Sequence, residues 1–304
     1  MPGPVNLAQA VPVDGWLARI GRGLWAPRCL VCSERASGPL DLCARCGAAL
    51  PWMPPACRCC AMPLPLPASP PSSLPVLPPA FPVLVPSLPV LPPPPSPVGA
   101  ATAATGIAEQ HHAARVAALA APTGGTLTGG RLCSACQHDP PPLAEAHAAF
   151  LYAFPLDRLL PRLKFHRDLA AGRLLAQAMA AAFAGCERPQ ALVPVPLHRA
   201  RLRQRGYNQA LELARPLGRM LGLPVRPGLL LRSRDTAAQS RLDAGARSAN
   251  LRDAFGVPAR IRVPAHLVLV DDVMTTGATL NAAAEALLEA GADRVDAWVC
   301  ARAP

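Results

Sequence analysis

The sequence predicts an α/β protein: a mainly parallel sheet flanked by helices, preceded by a small cysteine-rich metal-binding module. Three observations carry this. Beyond Ala148, short aliphatic runs alternate with stretches of helical period. Eight of the eleven cysteines fall into Cys-x-x-Cys pairs, all in the first half of the chain. A proline-rich stretch separates the last of those pairs from the others. With 304 residues, about half of them hydrophobic, the chain can hold two ordinary domains.

At the N-terminus, Trp16, Leu17, Ile20, Leu24 and Trp25 are spaced like one face of a short helix, interrupted by Arg19 and Arg22. This lacks the continuous apolar core of a signal peptide. No proline-free run of about 20 apolar residues follows anywhere, so no membrane span is expected. Paired thiols in such a chain fit a reducing cytoplasm better than a disulfide framework.

Cys29-Leu-Val-Cys32 is followed after ten residues by Cys43-Ala-Arg-Cys46. A two-residue spacer lets one turn present two sulfurs, and two such turns complete a tetrahedral Zn²⁺ site, so this spacing reads as a zinc ribbon. A second set is Cys57-Arg-Cys59-Cys60 with Cys133-Ser-Ala-Cys136. Cys57 and Cys60 are the favoured ligands there, in sequential pairing, although Cys59 competes and a cross-braced arrangement fits the same spacings. Cys186 and Cys300 stand alone, as packing residues.

Residues 61–100 contain sixteen prolines, and no charge appears between Arg58 and Glu109. Such a segment forms neither ladders nor helices and reads as a polyproline-like linker or disordered insertion, continued in Ala, Thr and Gly to residue 130. Closure entropy grows slowly with loop length, so the cysteines on either side can still meet. The expected division is a zinc-ribbon module in two parts (1–60 and 131–147), the insertion (61–130) and an α/β domain (148–304).

Within the last part, residues 169–184 have helical period, Ala191 to Pro196 reads as a buried strand, and Asn208 to Leu221 is helical again. Leu229 to Leu231 and Leu267 to Val270 are strand-like, Ala282 to Ala290 is helical and stops at Gly291, and Arg294 to Cys300 is a final strand. Strands separated by helices imply parallel pairing covered on both faces.

The stretch His266-Leu-Val-Leu-Val-Asp-Asp-Val-Met-Thr-Thr-Gly-Ala-Thr-Leu280 carries the chemistry. In open α/β folds ligands bind at the carboxyl ends of the strands. There Asp271 and Asp272 can accept hydrogen bonds from the vicinal hydroxyls of a ribose. Thr275, Thr276, Gly277, Ala278 and Thr279 then offer hydroxyls and backbone N–H groups at the start of a helix, a cradle for a phosphate dianion. The separation suits a ribose 5-phosphate, and no Gly-x-x-x-x-Gly-Lys sequence points to a triphosphate loop instead.

Net charge is +11, yet of 30 basic residues a single one, Lys164, is lysine. The arginine excess need not signal a polyanion partner, whereas the lone lysine suggests a place where a compact ammonium is required.

The 271–279 stretch resembles the 5-phosphoribosyl 1-diphosphate (PRPP) motif of type I phosphoribosyltransferases. The whole chain is similar to the ComF (GntX-like) family, in which a cysteine-rich zinc module precedes a phosphoribosyltransferase domain. The likeness includes Leu163-Lys164-Phe165, Val193-Pro-Val-Pro-Leu-His198, Arg203-Gln-Arg-Gly-Tyr-Asn-Gln209, Thr236-x-x-Gln239 and Arg247-x-x-Asn250. It covers nearly everything outside residues 61–130. Tyr207 stands where the family usually has Phe, Ala61 where it usually has Gly, and the insertion is atypical.

The resemblance implies a type I phosphoribosyltransferase fold with a hood, here residues 148–168. It implies a pyrophosphate loop at Pro196, Leu197, His198 and Arg199, with Arg205 the best placed of the arginines that follow. Residues 232–250 would form a lid from which Arg234, Thr236 and Gln239 reach PRPP. Asp271, Asp272 and Lys164 would act at the reacting centre, and Mg²⁺ would accompany PRPP. Two functions follow: transfer of phosphoribosyl to an acceptor the sequence does not specify, linked to DNA uptake, or a non-catalytic factor that senses PRPP or binds single-stranded DNA or DNA-uptake proteins. Aromatic content of 4% gives few stacking platforms, so single-strand binding would rest on charge.

Overall fold

The computed structural model describes residues 28–36, 41–65, 131–233 and 254–303. The N-terminal helical spacing, most of the proline-rich segment, and the lid residues Arg234, Thr236, Gln239, Arg247 and Asn250 lie outside these.

Two short helices, α1 (Ala44–Ala48) and α2 (Ser134–His138), each begin immediately after a cysteine. There follow β1 (Ala146–Leu151), α3 (Leu156–Phe165), α4 (Leu169–Phe183), β2 (Ala191–Pro194), α5 (Arg199–Arg205) and α6 (Gln209–Leu221). The chain ends with β3 (Leu231–Arg232), β4 (Phe255–Gly256), β5 (His266–Met274), α7 (Ala278–Glu289) and β6 (Arg294–Arg302). Four strands form one sheet in the order β1-β6-β5-β2, every pair parallel. The small β3-β4 ladder is antiparallel.

The expected parallel sheet is thus present, with differences of extent: β5 continues past Val270 to Met274, so Asp271 and Asp272 lie within the strand rather than after it, β6 continues past Cys300 to Arg302, and β2 stops at Pro194. The first strand begins at Ala146 and pairs with β6, so part of the stretch expected to be a hood belongs to the sheet. Alanine dominates β1 (Ala-His-Ala-Ala-Phe-Leu), and alanine gives little strand signal. The last helix starts at Ala278, four residues earlier than its apolar period suggests, because a loop-like Ala-Thr-Leu-Asn opens it. Of the strand expected at Leu229 to Leu231 only Leu231 enters a ladder.

Both faces of the sheet are covered. On one, Leu156, Leu159, Leu160 and Leu163 of α3, at helical spacing, are fully buried with Leu174, Leu175 and Met179 of α4 and Leu213 and Leu217 of α6. Each such side chain contributes about 1.5–3 kcal/mol relative to exposure. Phe183 stacks on Trp298 of β6 at 5.1 Å. On the other, α7 supplies Leu280, Ala283, Ala284 and Leu287 against Leu267, Leu269, Val295 and Val299.

Both sheet edges are capped, which removes open strand templates. Trp52 bridges to Phe150 beside β1, and the Met53 N–H donates to the Ala149 carbonyl at 3.0 Å. Val225 bridges to Leu192 beside β2. Among the described residues no helix is long and apolar enough to cross a membrane.

Candidate functional site

Register brings the site together. Pro194 of β2 lies beside Val270 of β5, and the Val195 N–H donates to the Val270 carbonyl at 2.9 Å, so the loop after β2 opens next to Asp271 and Asp272. Both segments sit at the carboxyl end of the sheet, as a ligand site in this architecture requires.

The two acids are not equivalent. Asp272 is buried, and Lys164, in the last turn of α3, places Nζ 2.8 Å from its Oδ2. This ion pair lacks hydrogen-bond alignment, and Oδ2 has no other polar partner, while Oδ1 accepts the Val273 N–H at 2.8 Å. Asp271 is partly exposed and joins no ion pair among the described residues; its Oδ1 accepts the Asp272 N–H at 2.8 Å. Desolvation first, and then the Asp272 carboxylate, push the Asp271 carboxyl up to about 8, against the pull of the Asp272 N–H and Lys164. Asp271 is therefore the acid open to a ligand, and Asp272 the one held by the chain.

Beyond them, Thr275 and Thr276 are exposed. Gly277 adopts φ +81° as the residue before α7, and a Cβ there would lie 2.7 Å from Met274 Cε, so only glycine makes this turn without strain. The Ala278 N–H reaches Thr276 Oγ1 at 3.4 Å, and no side chain caps α7 at Gly277. Twelve residues of helix dipole thus end at N–H groups beside two hydroxyls.

The loop after β2 is ordered by its neighbours. His198 Nδ1 accepts the Ala200 N–H at 3.3 Å and caps α5. Asn208 joins the loop to α6: its Nδ2 donates to the Val195 carbonyl at 2.9 Å, and its Oδ1 caps α6 through the Ala210 N–H at 3.0 Å. Pro196 and Leu197 are partly exposed and Arg199 is exposed.

None of α5 is buried, and helical geometry splits its arginines. Arg199 and Arg203, four apart, are exposed, whereas Arg201 and Arg205 share a more protected face. Arg205 donates to Gln209 Oε1 at 3.0 Å and lies 5.3 Å over the Phe165 ring. The separate sequence motifs around Lys164 and Arg205 thus meet at Phe165, which is 67% exposed.

Away from this site, the sulfurs of Cys29, Cys32, Cys43 and Cys46 lie within 4.8 Å of one another, as do those of Cys57, Cys60, Cys133 and Cys136. Sequential pairing is the arrangement the fold makes, and Cys59 stays outside. The two knuckles share one turn: Ser33 (φ +64°) and Ala61 (φ +52°) follow Cys32 and Cys60 in left-handed conformation. Ala61 thus adopts, at some strain, a geometry that glycine adopts freely. The Cys46 N–H points to Cys43 Sγ at 3.5 Å and the Cys133 N–H to Cys57 Sγ at 3.3 Å. Burial alone would raise the Cys29 thiol, but the N–H groups of Cys32, Cys43 and Val31 bring it down to about 6. At Cys57 burial is likewise outweighed, by the N–H groups of Cys133, Cys59 and Cys60, giving about 7. Four clustered sulfurs with such donors fit a soft tetrahedral ion, and zinc is the cofactor. Cys300 is wholly buried, and burial pushes the half-buried Cys186 thiol up to about 12; neither approaches the clusters.

Sequence reasoning gave Asn208 and Arg302 no role. The Arg-Gly-Tyr-Asn-Gln motif was a signal for Asn208, since Asn before a helix is a cap. For Arg302 the signal was weaker: a cation ending a strand that is otherwise apolar.

Sheet, acid pair, glycine turn and paired knuckles define a phosphoribosyltransferase-type domain joined to a double zinc ribbon. Residues 20–73 match the double zinc ribbon domain family, and residues 261–304 match the phosphoribosyl transferase domain family. The DNA utilization protein YhgH of Salmonella typhimurium is 38% identical over 179 residues, which is 56% of this chain and 77% of that protein. Competence protein F of Haemophilus influenzae is 37% identical over 160 residues, 50% of this chain and 70% of its own length. Competence protein ComFC of Bacillus subtilis is 29% identical over 152 residues, 49% of this chain and 60% of its own. The chain belongs to the ComF family.

Proposed function

We propose that this protein binds PRPP together with Mg²⁺ and transfers its phosphoribosyl group to an acceptor, in support of DNA uptake or use. The observation that carries the reading is the junction of Asp271 and Asp272 with the Gly277 turn and the uncapped start of α7, beside the loop at 196–198.

Asp271 receives the ribose hydroxyls, with Asp272 held behind it by Lys164. The N–H groups and hydroxyls of Thr275 to Thr279 bind the 5′-phosphate. Pro196, Leu197, His198 and Arg199 border the pyrophosphate, with Arg205 behind them, and Arg234, Thr236 and Gln239 complete the cover. Mg²⁺, when bound with PRPP, neutralises pyrophosphate charge. The C1–O bond to pyrophosphate breaks with its electron pair leaving on oxygen, an acceptor lone pair forms the new bond at C1 as the acceptor releases its proton to water, and the Asp272 carboxylate, held by Lys164, stabilises the cationic ribose between these events, joined by Asp271 once that acid has released its own proton. Each cysteine cluster would hold one structural Zn²⁺, and reduced, metal-bound thiolates suit a reducing compartment such as the cytoplasm.

The test is calorimetry with PRPP and Mg²⁺. Micromolar binding by the wild type that Asp271→Asn/Asp272→Asn loses supports the reading, and a wild type that takes up no PRPP removes it. Pyrophosphate release with candidate bases and amines then identifies the acceptor.

A second reading, binding of single-stranded DNA, rests on α5, whose exposed face carries Arg199 and Arg203, and on the names of the relatives. It predicts affinity that falls steeply with salt and weakens on Arg199→Ala/Arg203→Ala. Salt-independent or absent binding excludes it.

A further inference from the structure

We propose that Arg302 is a positioning residue that ties the second cysteine cluster to the 275–277 loop, so that metal held by Cys57, Cys60, Cys133 and Cys136 sets the affinity of the loop for a phosphate. The inference rests on the reading of that loop as the 5′-phosphate site.

Arg302 ends β6 and is only 4% exposed. Its Nε donates to the Cys60 carbonyl at 3.0 Å, and its Nη1 donates to the Met274 carbonyl at 3.3 Å and to the Ala303 carbonyl. Cys60 belongs to the second cluster, where its sulfur is 3.6 Å from that of Cys133. Met274 is the last residue of β5, and its side chain lies under Gly277. One guanidinium therefore spans from a metal knuckle to the residue that floors the phosphate turn.

Charge gives the link its direction. A buried guanidinium is costly unless paired. Among the described residues Arg302 has no carboxylate partner, its hydrogen bonds go to carbonyls alone, and one of those carbonyls belongs to Cys60 of the cluster. A divalent ion held by four thiolates leaves a net negative cluster, which is the counter-charge this cation needs. An empty cluster withdraws it, and Arg302 then gains by turning to water, releasing the Met274 carbonyl. The Ala303 N–H, which also donates to that carbonyl at 2.9 Å, sits next to Arg302 in the chain and moves with it.

The first cluster is the internal control. It packs on the opposite face of the sheet, against α3, where Arg162 Nη1 donates to the Leu30 carbonyl. It makes no contact with Met274 among the described residues.

The experiment compares full-length wild type, Arg302→Gln, Arg302→Lys, Cys136→Ser and Cys32→Ser. Zinc per chain, hydrogen exchange of the peptide covering 274–280, and calorimetric affinity for ribose 5-phosphate are read for each. Arg302→Gln is expected to keep two zinc ions yet exchange at least tenfold faster in 274–280 and bind about tenfold more weakly, with Arg302→Lys recovering part of both. Cys136→Ser and Cys32→Ser should each lose one zinc, but only Cys136→Ser should loosen 274–280. Unchanged exchange in Arg302→Gln, or equal loosening in Cys32→Ser, overturns the proposal. Exchange coupling as expected in a wild type that binds no ribose 5-phosphate leaves the Arg302 link standing and overturns the phosphate reading instead.

Discussion

Lys164 Nζ stands 2.8 Å from Asp272 Oδ2, joining the end of α3 to the carboxyl end of β5. The chain's one lysine thus meets the more buried of its two adjacent acids. A guanidinium is larger and planar, and a single buried oxygen is better met by a compact ammonium. This pair gives the lysine a structural reason that composition alone could only suggest.

Removing one partner of such a pair leaves the other uncompensated. Lys164→Met is expected to lower unfolding free energy by about 3 kcal/mol, at the lower end for buried pairs because Lys164 keeps some solvent access. In Lys164→Met/Asp272→Asn most of that loss should return. Urea unfolding of the two single variants and the double variant measures the coupling; additive losses would show that the two groups do not interact.

Asp271 gives a pH signature. Its carboxyl stands near 8 when folded, above the ordinary 3.8, so between those values the folded state holds the proton that the unfolded chain has released. Stability from this group is complete below about 4, falls as pH rises through the window, and is flat above about 8. Asp271→Asn should therefore match the wild type in denaturation midpoint near pH 4 and exceed it by a growing margin up to pH 8. A margin that stays constant, or shrinks with rising pH, contradicts the assignment.

Much of this site was legible in the chain, for reasons of short range. Two-residue spacers fix where paired sulfurs go, and an aliphatic run ending in two acids and a Thr-Thr-Gly turn names a strand end and a helix start. What was not legible is long-range or small. Nothing local tells that Lys164 faces Asp272 across 108 positions, or that Arg302 reaches Cys60 at a separation of 242. The β1 strand escaped because alanines pack in a sheet without announcing it, and the helix that divides the arginines of α5 between two faces has no buried residue to mark its period.

Cys59 separates the two candidate ligand sets at the second cluster. Its sulfur lies outside the group formed by Cys57, Cys60, Cys133 and Cys136, so Cys59→Ser should retain two zinc ions per chain, whereas Cys57→Ser should retain one. Elemental analysis of the purified variants decides. Loss of a zinc from Cys59→Ser would mean that the knuckle uses the other thiol.

Gly277 tests the phosphate turn through its backbone. Its φ of +81° costs a residue with a Cβ about 1–2 kcal/mol, and that Cβ would also press on Met274 Cε at 2.7 Å. Gly277→Ala should shift the turn and weaken ribose 5-phosphate binding by about tenfold, the equivalent of roughly 1.4 kcal/mol, while leaving the zinc content at two. Met274→Ala removes the atom in the way but not the backbone strain, so Gly277→Ala/Met274→Ala should recover only part of the affinity. Full recovery would make the clash the whole effect, and no loss in Gly277→Ala would show that the turn does not shape the phosphate site.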